Sequence, residues 1–134
     1  MLLKDVKVVE LGQNLAGPYG TQILADLGAD VIKVERPTGD DSRNWGTKVS
    51  KDTTTMYQTL NRNKKSVCLD LKLDNDMKRL MGLLKKTDIF LHNLRPGSST
   101  KLGLGAKKLR KNFPQLIYCD VGAFGHIGPL KDQP

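Results

Sequence analysis

Aromatic side chains are scarce in this sequence: three Phe, three Tyr and one Trp among 134 residues. No stripe of alternating basic and aromatic residues appears, which argues against a nucleic-acid surface built on base stacking. Cysteine is equally sparse. Cys68 and Cys119 belong to no CxxC element and have no histidine beside them, so neither a metal centre nor a disulfide framework is indicated. Both lie in apolar, strand-like runs (SVCLDL and LIYCDV) and read as buried structural thiols. No apolar run approaches the ~20 residues that span a bilayer, so no membrane segment is expected. The opening MLLKDVKVVEL enters a strand pattern directly, without the parts of a signal peptide, and a cytoplasmic location is the expectation. Two phosphate-loop patterns are missing as well. The first glycine-bearing turn is not G-x-G-x-x-G, and nothing matches G-x4-G-K-[ST].

What is present suits a globular α/β chain of one domain, with 38% hydrophobic residues. The formal net charge is +8, from 22 Lys+Arg against 14 Asp+Glu, which favours anionic partners without naming one. Lys64-Lys65, Lys85-Lys86 and Lys107-Lys108 with Arg110-Lys111 read mainly as solvated faces or helix-end cations. The most informative stretch lies near the N-terminus. VKVVEL (Val6–Leu11) runs into the turn Gly12–Pro18, the helical YGTQILADLG follows, and a second apolar run, with Asp30–Glu35 as its strand, ends on Glu35-Arg36. Strand, tight loop, helix and strand is the unit that sets an anionic ligand at a helix N-terminus.

The alternation continues. Pro37 to Asp52 reads as a long surface loop, Thr54–Asn61 as a short helix and Ser66–Leu71 as a third strand. Asp74 reads as the cap of a helix whose Met77, Leu80, Met81 and Leu84 share one face. Asp88–Asn93 is a fourth strand, Ala106–Asn112 a helix and Leu116–Val121 a fifth strand, with loop from Gly122 to Pro134. This order predicts an α/β fold with a doubly wound, mainly parallel sheet. Ligands of such sheets bind beyond the carboxyl ends of the strands. That rule gathers Arg36, Lys72 and Arg95 on one rim, where guanidinium forks and an ammonium suit a phosphate-rich ligand. Glu35 stands about where a dinucleotide-binding acid would, which keeps an NADP reading open against the glycine spacing.

Four segments in order, LAGPYGTQILADLGADVIKVER, LNRNKKSVCLDLK, HNLRPGSSTKLGLG and GAFGHIGP, together resemble the family III CoA-transferases over the whole chain. That group includes formyl-CoA transferase, succinyl-CoA:glutarate-type enzymes and α-methylacyl-CoA racemase. The resemblance implies that residues 1–134 are the N-terminal portion of a Rossmann-like CoA-binding domain, truncated before the domain is complete. It implies coenzyme A or acyl-CoA as substrate with no permanently bound cofactor and no metal. Acyl-CoA and a carboxylic acid would be the partners, with neither nucleic acid nor membrane involved, in an interlocked homodimer of the full-length protein.

The implied coenzyme contacts are Leu15 and Ala16 near the thioester and pantetheine end, and Arg36 at the nucleotide. Leu69 and Lys72 would lie by the adenosine 3′-phosphate, with Asn93, Leu94, Arg95 and Lys101 in the segment after the fourth strand. The family's nucleophile is an aspartate downstream of a glycine loop that Gly122–Pro129 resembles, so no catalytic residue is assigned within the chain. His126 lies inside that loop and reads as an exposed turn residue. The resemblance therefore implies CoA transfer between an acyl-CoA and a free acid. A 2-methylacyl-CoA racemase, or a non-catalytic CoA- or nucleotide-binding module, remains open.

Overall fold

The computed structural model describes residues 1–133. Five parallel strands make the main sheet: β1 (Lys7–Leu11), β2 (Asp30–Glu35), β5 (Lys64–Cys68), β6 (Ile89–His92) and β7 (Ile117–Asp120). A two-stranded antiparallel ribbon pairs β3 (Lys48–Ser50) with β4 (Thr53–Thr54). The helices are α1 (Ala16–Asp26), α2 (Thr55–Asn61), α3 (Asp74–Leu84), α4 (Ser98–Lys101) and α5 (Ala106–Asn112). The main sheet runs in the order β5-β2-β1-β6-β7, so the chain winds outward from β1 first to one side and then to the other. That is the doubly wound, Rossmann-like arrangement, and its strand order reverses between β1 and β6.

Alternate residues of each strand point to opposite faces, and the two faces differ. Val9, Val34 and Phe90 meet Leu80 and Leu84 of α3, Leu109 of α5 and the buried Leu69, Leu104 and Leu116, forming the larger core. On the other face Val8 and Val31 pack against Ala25 of α1 and Ala29, forming a smaller core. This second face does not stay apolar. The next inward residues along the same strands are Glu10 and Lys33, direct register partners and both fully buried.

Four local readings need correction. β5 begins at Lys64 because Lys64 and Lys65 pair with Val31 and Ile32. It ends before Leu71 because Asp70 turns the chain, accepting from Lys72 N and bonding Leu73 N through its carbonyl. Pro37–Asp52 is not all loop: Asp41–Asn44 form a 3-10 turn capped by Asp40, and Thr54 ties the ribbon to it by donating to Ser42 O at 2.6 Å. Asp74 is the first residue of α3 rather than its cap, since the cap position falls on Leu73. Cys68 is exposed, because β5 is the sheet edge and does not cover its last residue.

The turn after β1 is compressed. Gly12 and Gly17 approach so closely that a Cβ on Gly17 would meet Asn93 Oδ1 at 3.0 Å and the Gly12 Cα at 3.2 Å. Gly82, exposed in α3, has nothing within 4 Å of such a Cβ. The two sites predict opposite outcomes in chemical denaturation. Gly17→Ala should cost about 1–3 kcal/mol by overpacking. Gly82→Ala should stabilise by about 0.5–1 kcal/mol through helix propensity.

Candidate functional site

Beneath the turn that follows β1 lies a buried ion cluster. Lys33 Nζ donates to Glu10 Oε1 at 2.8 Å and to the Gly12 carbonyl at 2.9 Å, and pairs with Asp40 Oδ2 at 2.8 Å. Lys64 Nζ reaches the same carboxylate from β5, donating to Glu10 Oε2 at 2.8 Å, Pro18 O at 2.7 Å and Asn61 Oδ1 at 3.1 Å. Lys64 therefore uses its three donors, Lys33 makes two hydrogen bonds and an ion pair, and two cations face two carboxylates. Thr21 Oγ1 adds a 2.6 Å bond to Glu10, and Asp40 Oδ1 accepts from Asn14 N and from Ser42. Burial would raise the Asp40 pKa, but the Lys33 hydrogen bond and charge and the Ser42 contacts lower it. Burial pushes Lys64 down, against the attraction of Glu10.

A second carboxylate is equally committed. Glu35 accepts from Arg43 through Nε (2.7 Å) and Nη2 (2.8 Å), from Tyr57 (2.6 Å), from Ser66 (2.6 Å) and from Asp40 N (3.0 Å). Burial alone would raise its pKa, yet these donors, Arg43 foremost, hold it at about 2. Arg43 also lies over the Tyr57 ring, 3.7 Å from its centre. The same carboxylate raises the Tyr57 pKa further than burial does alone.

The crevice between β1 and β6 is closed from one side by Asn93. Its Oδ1 accepts from Gln13 N and its Nδ2 donates to Gln13 O, both at 2.9 Å. The side-chain amide is thus spent on the backbone of the first turn. Above it, α1 begins at Ala16 with no side-chain cap and no acidic residue in its first turn, so its positive end is not offset locally. Asn14 at the turn's tip has φ 66°, a conformation asparagine tolerates better than most side chains.

Two of the clefts at the carboxyl ends of the strands border β1 and β6. The smaller, about 180 Å³, is lined by Arg36, Leu69, Lys72 and Leu94, with Gly12 and Gln13 at its edge. The larger, about 870 Å³, takes Asn93, Leu94 and Arg95 on one wall and Asp120 to His126 on the other. Leu94 is common to both. Four of the nine residues read from the sequence as coenzyme contacts thus share the first cleft, and Arg95 stands in the second, apart from Arg36 and Lys72. Leu69 is only 1% exposed and forms a floor. Leu15 (56% exposed), Ala16 and Lys101 lie on the segments after β1 and β6, outside both clefts.

His92 is buried beside Tyr118, which lines the larger cleft; Tyr118 Oη lies 2.6 Å from its Nε2 while Leu94 N donates to its Nδ1. With Tyr118 in turn donating to Leu104 O, the imidazole carries its proton on Nε2. Burial lowers its pKa, partly opposed by Asp120. Asp120 sits between two rings, 3.6 Å from His92 Nδ1 and 3.6 Å from Nε2 of the exposed His126.

Sequence reading missed the buried cluster, and it took Lys64 for a solvated cation. The usable signal was a charge inside an apolar run, Glu10 in VKVVEL and Lys33 in DVIKVE, near the carboxyl ends of strands that pair. Arg43 and Tyr57, in and beyond a presumed loop, left no comparable sign.

A doubly wound parallel sheet, a glycine turn braced at its switch point and a cation-edged cleft beside it place the chain in the Rossmann-like class of α/β proteins. The chain belongs to CoA-transferase family III, whose model matches residues 3–134. It is 40% identical to human succinyl-CoA:glutarate CoA-transferase, an alignment spanning 98% of this chain and 30% of that protein. It is 44% identical to succinyl-CoA–D-citramalate CoA-transferase of Chloroflexus aurantiacus, over 98% of this chain and 33% of the relative. The structure matches that of a CAIB/BAIF family protein from Brucella suis with a TM-score of 0.91 and 39% identity, covering 97% of this chain and 35% of the other. The chain thus spans about a third of the length of these relatives. No described helix is long and apolar enough to cross a membrane.

Two stability predictions follow from the buried charges. Lys33→Met leaves Glu10 and Asp40 without their shared cation and should cost about 3–5 kcal/mol, whereas Lys65→Met, at an exposed pair, should cost no more than about 1 kcal/mol. Urea unfolding of both variants checks the contrast. The second concerns pH. The depressed Glu35 pKa contributes stability that is complete above its ordinary 4.5 and disappears as pH falls to about 2. At about 1.36 kcal/mol per pH unit this amounts to about 3 kcal/mol. Glu35→Gln should remove that part of the acid sensitivity, read as unfolding free energy at pH 5, 4 and 3.

Proposed function

We propose that this protein moves coenzyme A between an acyl-CoA and a free carboxylic acid, and that residues 1–134 supply the CoA-holding end of the site. The observation that carries this reading is the grouping of Arg36, Leu69, Lys72 and Leu94 around one cleft at the strand ends, in a chain of this family. Relatives named for succinyl-CoA with glutarate and acetyl-CoA with oxalate support a carboxylate acceptor. In this reading Arg36 and Lys72 meet phosphates of the nucleotide, as a guanidinium fork and a point charge do. Leu69 and Leu94 lie along the apolar parts, Asn93 and Arg95 border the neighbouring cleft, and Lys101 stands at its outer side. The backbone of Leu15 and Ala16, at the uncapped start of α1, faces the thioester end.

The chemistry needs a carboxylate nucleophile, which we place on an aspartate outside residues 1–134. Its oxygen attacks the thioester carbonyl, the C–S bond breaks, and CoA leaves as a thiolate while a mixed anhydride forms. The thiolate then attacks the aspartyl carbonyl, releasing the first acid and leaving an aspartyl-CoA thioester. The acceptor carboxylate resolves that thioester by the same two steps in reverse. Two interlocked copies of the full-length protein, acting in the cytoplasm, complete the proposal.

Calorimetry and a transfer assay on the full-length protein test it. CoA should bind, and CoA should pass between dicarboxylic acids; absence of both sinks the reading. Arg36→Ala should weaken CoA more than dephospho-CoA and leave pantetheine unchanged. Equal losses for all three ligands would remove Arg36 from the nucleotide end.

A further inference from the structure

Among the cations at the strand ends, Arg36 alone comes already paired. Its Nη2 contacts Asp41 Oδ1, and its Nε donates to Gly39 O at 3.1 Å, which folds the guanidinium back over the Pro37–Asp41 turn. Among the described residues no carboxylate forms an ion pair with Lys72, Arg95 or Lys101. Arg36 also borders two clefts: the one it shares with Lys72 and Leu94, and a basic one of about 360 Å³ that includes Arg43, Lys48 and Lys51. The Asp41 carboxylate presents to this guanidinium the same acceptor oxygens that a phosphate would. Both side chains are about half exposed, 46% and 47%, so the pair is weak enough for a ligand to displace. The neighbouring Asp40 is different in kind, being buried and committed to Lys33 and Ser42.

We infer that Asp41 is an internal competitor for Arg36, a residue that sets the protein's affinity for phosphate-bearing ligands by occupying the guanidinium until a phosphate replaces it. The inference rests on the proposed role of Arg36 at the nucleotide end of CoA. It adds a determinant that is not itself a ligand contact: Asp41 touches no substrate and acts through Arg36. Removing its charge releases the guanidinium without disturbing the buried cluster, since Asp41 enters none of the bonds of Lys33, Lys64 or Glu35.

Isothermal titration of the full-length protein with CoA and with pantetheine, in wild type, Asp41→Asn, Arg36→Ala and the double variant, tests this. Asp41→Asn should tighten CoA by about two- to fivefold, the range that loss of an exposed ion pair permits. Pantetheine, which lacks the nucleotide phosphates, should bind unchanged. In the Arg36→Ala background the Asp41→Asn gain should vanish. An equal gain in both backgrounds would overturn the inference, because Asp41 would then act through its field alone. Unchanged or weaker CoA binding by Asp41→Asn, in a protein that Arg36→Ala weakens, would overturn the inference and leave the proposed function standing. Wild-type CoA affinity in Arg36→Ala would overturn the inference together with the nucleotide-end role of Arg36, while CoA transfer itself would still stand on the binding and transfer assays.

Discussion

The buried pairing of Lys33 with Glu10 is the contact on which the rest of this structure depends. These residues face each other across β1 and β2, fully buried, where the strands hand the chain to their turns. An ion pair so deep is a poor source of net stability, since desolvation offsets its attraction and apolar replacements often serve as well. Its value here is positional. Through Lys33 the pair holds the Gly12 carbonyl, through Lys64 the Pro18 carbonyl, and through Asp40 the Asn14 amide. Three points on a turn of seven residues are thereby fixed from below by groups that cannot be exchanged for water. Asn93 fixes a fourth from the side, and the glycines at 12 and 17 let these parts close up. The start of α1 is therefore pre-formed, with its uncapped amides set in place by charges.

That arrangement sorts the basic residues of a chain with a net charge of +8. Lys33, Lys64 and Arg43 are structural, and each is surrounded by acceptors from the protein itself. Lys72, Arg95 and Lys101 are exposed, and ion pairing within the described residues does not engage them. The division follows the sheet. Cations whose Cβ points to the α1 and α2 face meet Glu10, Glu35 or Asp40, whereas cations on segments after a strand have solvent in front of them. Arg36 lies at the boundary between the two sets, the first residue past β2, with a half-exposed carboxylate partner and open clefts on both sides.

The doubly wound sheet was legible because apolar runs and helical spacings alternate with little ambiguity, and Asp30–Glu35 and Ala106–Asn112 match the structure at both ends. β5 was misplaced because Val67, Leu69 and Leu71 keep alternating after the strand has ended, and periodicity cannot see the Asp70 turn. The rim was legible in part for a related reason. Topology alone places residues after strands, which gathered Arg36, Lys72 and Arg95 on one rim, but it does not say that Leu94 divides the cleft of the first two from that of the third. Partnership was not legible. Lys64 and Lys65 are adjacent in sequence and alike in chemistry, yet one is buried on three acceptors while the other meets Asp30 at the surface. The period of two sends them to opposite faces, and only the neighbours on those faces decide which charge is solvated.

The same reasoning bears on why this turn–helix unit need not serve a dinucleotide. A carboxylate at the end of the second strand usually binds ribose hydroxyls in such folds, and Glu35 occupies that place. Here both of its oxygens are already accepting, from Arg43, Tyr57, Ser66 and the Asp40 amide, and together these donors hold it ionised far below the ordinary carboxylate range. A ribose hydroxyl would have to displace one of these donors, exchanging one charge-assisted bond for another with no gain. The residue that faces outward at this position is the next one, Arg36. In the proposed reading, an exposed guanidinium in place of a free carboxylate suits the end of β2 to a phosphate rather than to a hydroxyl, while the strand, the turn and the helix keep their geometry.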